Sequence, residues 1–208
     1  MTLIADFQYF SPYIFFLYLN KFDYCILDQY EHFQKMSFRN RCMLAGGNGV
    51  ITLSIPVIGG RNQKTIVKDV RILRRENWQA SHWKTITSCY NKSPWFDHYR
   101  DELAVLYTRK FEFLIDWNFT CLLWISDKLS IKTAYSFTDK YENKYDVKEF
   151  EDLRGRFMPS TINKNFTDAV RYPQVFEDRF GFVPNLSILD YLFCNGPRRR
   201  ESLIGKRS

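Results

Sequence analysis

The sequence predicts an α/β fold, with an α+β arrangement as the alternative: a mixed β-sheet flanked by helices and followed by a helical C-terminal part. The first observation is a strand–helix–strand opening, in which the apolar run Leu3–Asp6 precedes a helix start at Ser11-Pro12 and a second strand at Tyr24–Leu27. Serine at the N-cap and proline at the first helical position favour a helix start. The second observation is the sustained helical periodicity in the middle of the chain.

The later segments continue the mixture of strands and helices. A Gly-Gly-Asn-Gly turn predicts a hairpin, because glycine and asparagine supply the positive φ angles that a tight reversal needs. Poor periodicity over 138–169 predicts a loop-rich segment, and Asn195-Gly196-Pro197 ends the last helix. The predicted spans are 38–45 and 50–56 for the hairpin, 67–73 and 134–137 for two further strands, and 78–91, 96–107, 111–129 and 185–193 for helices.

Length and composition indicate one globular domain, which we place at 1–197, followed by a basic tail at 198–208. The net charge of +7 and the basic first half predict an anionic small-molecule partner, a sugar phosphate or a nucleotide-sugar. We expect no nucleic-acid partner, because no nucleic-acid-binding motif accompanies the charge. The tail is either a solvated terminus or a weak contact with an anionic membrane surface.

Cysteine, histidine and glycine usage predicts neither a metal nor a cofactor. The five cysteines occur singly without a CxxC pair, and the three histidines form no HxxxH pair. The loop Phe7–Pro12 after the first strand lacks the glycines of a dinucleotide site. The apolar run Tyr13–Leu19 is too short to span a bilayer and lacks the flanks of a signal peptide, so we expect a cytoplasmic protein with reduced thiols.

The segment 33–41 combines aromatic and basic residues and is the first candidate for a binding site. If it is a strand, alternation places Lys35, Arg39 and Arg41 on one face, where two arginines could bind a phosphate or carboxylate. Asn40 falls on the opposite face, and its side chain needs a hydrogen-bond partner because asparagine is poor in strands. The alternative is a solvated strand face.

The predicted helix that begins at Trp78 carries the second candidate. Steps of four residues align Trp78, His82, Ile86 and Tyr90 on one stripe of this helix. Histidine titrates near neutral pH, so His82 is a candidate general base, and Tyr90 is a candidate substrate contact. The alternative is a hydrogen-bonded core histidine.

The third candidate lies in the C-terminal region of the chain, where polar residues interrupt an apolar helix. Asp190 follows Leu189 and precedes a further apolar run, so its carboxylate must be paired or costs several kcal/mol. We expect Asp190 to orient His82 or an arginine, and Gln174 and Asn195 to contact the substrate. The alternative for Asn195 is a simple helix stop.

These segments together resemble the WbqC-like protein family, over roughly 1–130 and 170–197. Two departures from the family pattern are Phe38, where tryptophan is usual, and the order Cys194-Asn195, which is usually inverted. The resemblance implies a cytoplasmic protein of bacterial surface-polysaccharide or O-antigen biosynthesis, with an aminoacyl- or glycine-transferase activity. The matching motifs are Phe10-Ser11-Pro12-Tyr13, Lys35–Arg41, Leu53–Val57, Trp78–Phe96, Tyr172-Pro173-Gln174 and Pro184–Pro197.

The sequence therefore predicts a transferase that acts on an activated or amino sugar. Arg39 and Arg41 would anchor a phosphate or carboxylate, Asn40 would hold a hydroxyl or carbonyl, and His82 would act as the base. The alternative is a non-catalytic module that binds a nucleotide-sugar or glycan intermediate through the same residues. A solvent-reachable, titrating His82 favours the enzyme, whereas a His82 sealed in the core favours the module.

Overall fold

A computed structural model describes residues 1–59, 64–74, 77–167 and 170–197, and these form the mixed α/β fold that the sequence predicts. A four-stranded parallel sheet and a separate antiparallel hairpin are combined with seven helices in the described residues. In chain order the elements are β1 (Thr2–Asp6), α1 (Tyr13–Leu19), β2 (Tyr24–Asp28), β3 (Arg41–Gly46), β4 (Gly49–Ser54), α2 (Trp78–Tyr90), α3 (Phe96–Thr108), α4 (Leu114–Lys128), β5 (Ala134–Phe137), β6 (Phe150–Asp152), α5 (Ile162–Asn165), α6 (Glu177–Phe180) and α7 (Ile188–Asn195).

The parallel sheet has the strand order β5-β2-β1-β6. Its central strand β1 is fully buried at Leu3, Ile4 and Ala5, as expected for a strand that is covered on both faces. The chain moves outward from β1 through β2 to β5 and then returns to the other side of β1 as β6. Open parallel sheets bind ligands outside the carboxyl ends of their strands where the strand order reverses, which here lies between β1 and β6.

The helices and the hairpin form one aromatic core. Helix α2 contacts α3 and β3, and α7 contacts α1, α3 and β3. The largest fully buried side chain is Trp117 of α4, which packs against Trp78 with ring centroids 5.2 Å apart. At the end of α7, Gly196 has φ of 69° and sits against the indole of Trp95. This close approach accounts for the glycine in the predicted helix stop.

Two local predictions were wrong. Residues 67–73 are not a strand: Val67–Asp69 form a short 3₁₀ helix, and the segment then makes only isolated bridges, Arg71 with Phe113 and Ile72 with Val57. Residues 33–40 are not a strand either, because β3 begins at Arg41 and Met36 has φ of 59°. The described part of 138–169 is loop-rich as predicted, and it includes the short elements β6 and α5.

Within the described ranges, none of the helices is long and apolar enough to cross a membrane. The predicted basic tail at 198–208 and its membrane contact lie outside the described residues.

Candidate functional site

Three neighbouring strands of the parallel sheet each end in an aspartate. Asp6 closes β1, Asp28 closes β2 and Asp152 closes β6, and Asp6 and Asp28 are register partners. Asp6 and Asp28 are almost wholly buried, whereas the Asp152 side chain is 32% exposed. Since the carboxyl ends of parallel strands share one edge, the topology gathers three carboxylates at the edge where ligands are expected.

Arg39 is buried in the core and neutralises part of the negative charge at this edge of the sheet. Its Nε donates to Glu31 Oε1 at 2.6 Å, and its Nη2 donates to Glu31 Oε2 at 2.5 Å. The same Nη2 lies 3.0 Å from Asp6 Oδ2, and Arg39 is 2% exposed. Asn118 of α4 fixes the backbone by donating to the Arg39 carbonyl at 2.7 Å. Only Nη1 of this guanidinium is left without a hydrogen-bond partner.

Arg154 has the same role from a position just beyond the end of β6. Its Nη2 donates to Asp152 Oδ2 at 2.7 Å, and its Nη1 donates to Asp28 Oδ2 at 2.5 Å. Its guanidinium carbon lies over the rings of Tyr145 and Tyr141, 4.8 and 5.6 Å from their centroids. The second arginine of the site is therefore also engaged by protein carboxylates and aromatic faces.

Four of these residues, Glu31, Arg39, Asp152 and Arg154, line a cleft of about 500 Å³, which we call the strand-end cleft. Burial raises the pKa of Glu31 to about 7, opposed by Arg39 and reinforced by the charges of Asp6 and Asp28. A buried carboxyl that titrates near neutral pH in a cleft is a feature of functional sites. The lining residues used below are Glu31, Phe33, Arg39, Tyr141, Asp152 and Arg154.

His82 lies in the aromatic core. Its Nδ1 is 2.9 Å from the Tyr9 hydroxyl, which is in turn hydrogen-bonded to the Tyr107 hydroxyl at 2.5 Å. His82 is 5% exposed, and burial lowers its pKa to about 4 against a hydrogen bond with the Ser54 backbone. The role of His82 as a base stays a prediction, and its sealed environment is the one that favours the binding-module alternative.

Asp190 connects the C-terminal helix to the hairpin. The Tyr90 hydroxyl donates to Asp190 Oδ1 at 2.7 Å and accepts from the Ala45 backbone N–H at 3.0 Å. Burial raises the pKa of Asp190 to about 6, opposed by the hydroxyls of Tyr90 and Tyr172 and the side chain of Gln174. The structure thus brings together Tyr90, Asp190 and Gln174 of the predicted site, in the fully buried surroundings of Asp190.

The other predicted site residues satisfy local backbone groups or face solvent. Asn40 donates to the Ile55 carbonyl at 2.9 Å, which extends the pairing of the hairpin. Asn195 lies 3.3 Å from the Pro173 carbonyl and 3.2 Å from the Tyr191 carbonyl. Gln174 exchanges two hydrogen bonds with the Val183 backbone, at 2.9 and 2.8 Å.

Arg41 and Lys35 do not share a strand face with Arg39. Arg41 is the first residue of β3 and is half-buried, Lys35 is exposed, and Arg39 precedes the strand and is buried. The strand alternation on which the predicted two-arginine fork is based begins only at Arg41 and so does not include Arg39. Binding of a phosphate or carboxylate by Arg39 and Arg41 stays a prediction.

Sequence reasoning missed the acidic half of the strand-end cleft. The signal that could have found it is that three apolar or mixed runs end in aspartate: Ile-Ala-Asp at 4–6, Ile-Leu-Asp at 26–28 and Phe-Glu-Asp at 150–152. Among the described residues, no group of three or more histidines, cysteines, aspartates or glutamates is arranged to hold a metal ion. Each of the three aspartates instead lies within 3.0 Å of an arginine nitrogen.

A second pocket of about 210 Å³ lies beside the start of α2, and the charged side chains that line it are basic. Arg74 and Lys110 line it together with the aromatic rings of Trp78 and Phe111. Arg74 is 70% exposed and is loosely paired with Glu112 at 3.8 Å. The cations of this pocket are therefore solvated surface groups rather than members of a built site.

Comparison with known proteins shows the family of the chain. The model of the WbqC-like protein family matches residues 8–154 and 146–202. The chain therefore belongs to the WbqC-like protein family, as the motifs of the sequence predict. Neither a search of curated proteins nor a search of solved structures gave a match.

Proposed function

We propose that this member of the WbqC-like protein family is a transferase that binds a sugar in the strand-end cleft. The observation that carries the proposal is the cleft itself, which has about 500 Å³ and lies at the reversal point of an open parallel sheet. That volume falls in the range of small-molecule sites. The acceptor would be an activated or amino sugar of surface-polysaccharide (O-antigen) assembly, as the family resemblance implies.

The lining of the cleft suits a sugar. The carboxylates of Glu31 and Asp152 accept hydrogen bonds, which hydroxyl groups can donate. Phe33 and Tyr141 add aromatic surface, against which the apolar face of a sugar ring can pack. A hydroxyl-rich ligand therefore finds both kinds of contact in one cleft.

Glu31 is our candidate for the general base. Both of its oxygens are held by Arg39, which fixes the direction of the carboxylate, and its pKa of about 7 lies near the optimum for proton transfer at neutral pH. As the amine or hydroxyl of the sugar bonds to the acyl carbon of the donor, Glu31 takes its proton and the leaving group departs with the bonding electron pair. A positioned base of this kind contributes roughly 10²–10⁴-fold to the rate.

The second candidate function is the non-catalytic module that binds a nucleotide-sugar or glycan intermediate. The specific observation in its favour is His82, which lies sealed in the core with a depressed pKa. For the transferase we therefore propose Glu31 as the base, while the base role of His82 stays a prediction. The two candidates share the strand-end cleft and differ in whether bound sugar is converted.

The cleft is tested by a binding screen with a matched tyrosine control. Monosaccharides and nucleotide-sugars are screened by thermal shift, and hits are titrated calorimetrically on wild type, Tyr141→Ala and Tyr24→Ala. Tyr141 lines the cleft and is 51% exposed, whereas Tyr24 is 63% exposed at the opposite end of β2. We expect Tyr141→Ala to weaken binding about tenfold and Tyr24→Ala to leave it unchanged. The cleft proposal is rejected if no sugar binds or if both variants behave alike.

Turnover separates the enzyme from the module. The sugar that binds is incubated with acetyl-CoA or with a glycyl thioester, each of which carries a thiolate leaving group, and its mass is measured with wild type and with Glu31→Gln. A transferase adds the mass of the acyl or aminoacyl group, and Glu31→Gln slows the reaction at least about 10²-fold. A bound sugar whose mass never changes favours the module.

A further inference from the structure

We infer that the ligand of the strand-end cleft carries an amino group, and that Glu31 and Asp152 bind its ammonium. The inference rests on the proposed function, because it names the substrate class of the same cleft. It departs from the anionic partner that the net charge of the chain predicts. The cleft differs in charge from the chain as a whole.

Negative groups exceed positive groups at the cleft. Two guanidinium groups, those of Arg39 and Arg154, pair with the carboxylates of Asp6, Asp28, Glu31 and Asp152. Glu31 and Asp152 line the cleft, whereas Asp6 and Asp28 are buried and do not line it. The nearby cation Lys140 is 79% exposed and is already paired with Glu142 at 2.8 Å. A phosphate entering the cleft would therefore meet a carboxylate excess, while an ammonium would reduce it.

The two arginines of the cleft are poor phosphate ligands in their present contacts. Arg39 directs Nε and Nη2 to Glu31 and Asp6, which leaves Nη1 alone without a partner. Arg154 directs all three of its nitrogens to Asp28, Asp152 and the Glu142 carbonyl. Bidentate phosphate recognition needs two free N–H groups on one edge of a guanidinium, and these edges are occupied by carboxylates.

The remaining hydrogen-bonding capacity of the cleft matches an amino sugar. Ionised carboxylates only accept hydrogen bonds, and an ammonium supplies three donors. Glu31 and Asp152 both line the cleft, and the Asp152 side chain is 32% exposed, so an ammonium in the cleft can reach these acceptors. An amino sugar therefore combines the donor for these carboxylates with the ring that the proposed function places in the cleft.

The test compares sugars that differ at one substituent. Glucosamine, galactosamine and mannosamine are titrated calorimetrically at pH 7 against their parent hexoses, their N-acetyl derivatives and glucosamine 6-phosphate. We expect at least one amino sugar to bind about tenfold or more tightly than its hexose and its N-acetyl derivative, since a hydrogen bond to a charged group is worth that factor. Glucosamine 6-phosphate should bind no better than glucosamine.

Two carboxylate variants localise the effect. Asp152→Asn should bring the ratio of amine to hexose affinity toward one while hexose binding persists, and Glu31→Gln should do the same if it folds. The matched control is Asp101→Asn, which removes an 88% exposed carboxylate on α3 and should leave the ratio unchanged.

Each outcome bears on a separate claim. Equal binding of amino sugars and hexoses, or tightest binding of the phosphate, overturns the amine inference and leaves the sugar cleft standing. A ratio that survives in Asp152→Asn overturns the assignment of the ammonium to this carboxylate. Binding by none of the sugars overturns the proposed function together with the inference.

Discussion

His82 offers the sharpest test of how this fold uses its rarest ionisable residue. The structure places it in the core with its pKa lowered from 6.5 to about 4, because burial disfavours the imidazolium. Between these two pH values the unfolded chain binds a proton at His82 that the folded chain does not bind. The free energy of unfolding therefore falls as the pH falls through this window. The stability that neutral His82 contributes is fully present above pH 6.5.

The size of the effect follows from the two pKa values. A shift from 6.5 to about 4 corresponds to about 3 kcal/mol in full, and about 2 kcal/mol of this is lost by pH 5. His82→Gln removes the titration while glutamine keeps a donor and an acceptor for the Ser54 backbone and Tyr9. We expect urea unfolding at pH 7 and pH 5 to show a wild-type loss that exceeds the loss in His82→Gln by about 2 kcal/mol.

The comparison isolates His82 from the carboxyls that titrate in the same range. Burial raises the pKa values of Glu31 and Asp190, so their contributions change with pH in the opposite direction, but they are common to both proteins and cancel in the difference. If the pH dependence of wild type and His82→Gln is the same, His82 is not a neutral core residue. A solvent-reachable histidine, and with it the base role of His82, would then return as the better explanation.

Two further predictions concern contacts that hold the C-terminal helix. Tyr90→Phe removes the hydroxyl that donates to the buried carboxylate of Asp190, so we expect a loss of about 1–3 kcal/mol in urea unfolding. An unchanged stability would mean that Tyr172 and Gln174 satisfy this carboxylate without Tyr90. Gly196→Ala places a Cβ against the indole of Trp95 at a positive φ, whereas Gly155→Ala meets no atom within 4 Å at a similar φ. Thermal unfolding should show that Gly155→Ala lowers the free energy of unfolding by about 1–2 kcal/mol through backbone strain and that Gly196→Ala lowers it clearly more. Equal losses would exclude the Trp95 contact as the cause.

Much of the fold could be predicted because it is encoded locally. The helix that starts at Trp78 was predicted to within one residue, and the strand Ala134–Phe137 was predicted with the bounds that the structure has. Strand β6 could not be predicted from its own residues, since Phe-Glu-Asp is short and mostly polar. It becomes a strand because it pairs with β1, which lies about 150 residues earlier, through the register Leu3 to Glu151.

The candidate site was harder to predict because burial is a tertiary property. The sequence singles out Arg39 as a candidate substrate contact, but an arginine in a basic segment is normally solvated. Its burial depends on Glu31 and Asp6, whose positions follow from the ends of β2 and β1 and not from the sequence around Arg39. The strand-end aspartates carry a usable signal only once the strands are known to be parallel and adjacent.

The contrast between a basic chain and an acidic cleft follows from the same geometry. Net charge describes the sum over the surface, and most of the cations lie where water screens them, whereas the local field of a cleft is set by the few groups around it. Arg39 and Arg154 neutralise the strand-end carboxylates only partially, so the edge of the sheet keeps acceptor capacity that a ligand can use. An anionic partner that responds to the overall charge would meet the exposed cations, such as Arg74 and Lys110 beside α2, rather than the cleft. The charge of the chain and the charge of its cleft therefore make separate predictions about ligands, and only the second is specific enough to name a functional group.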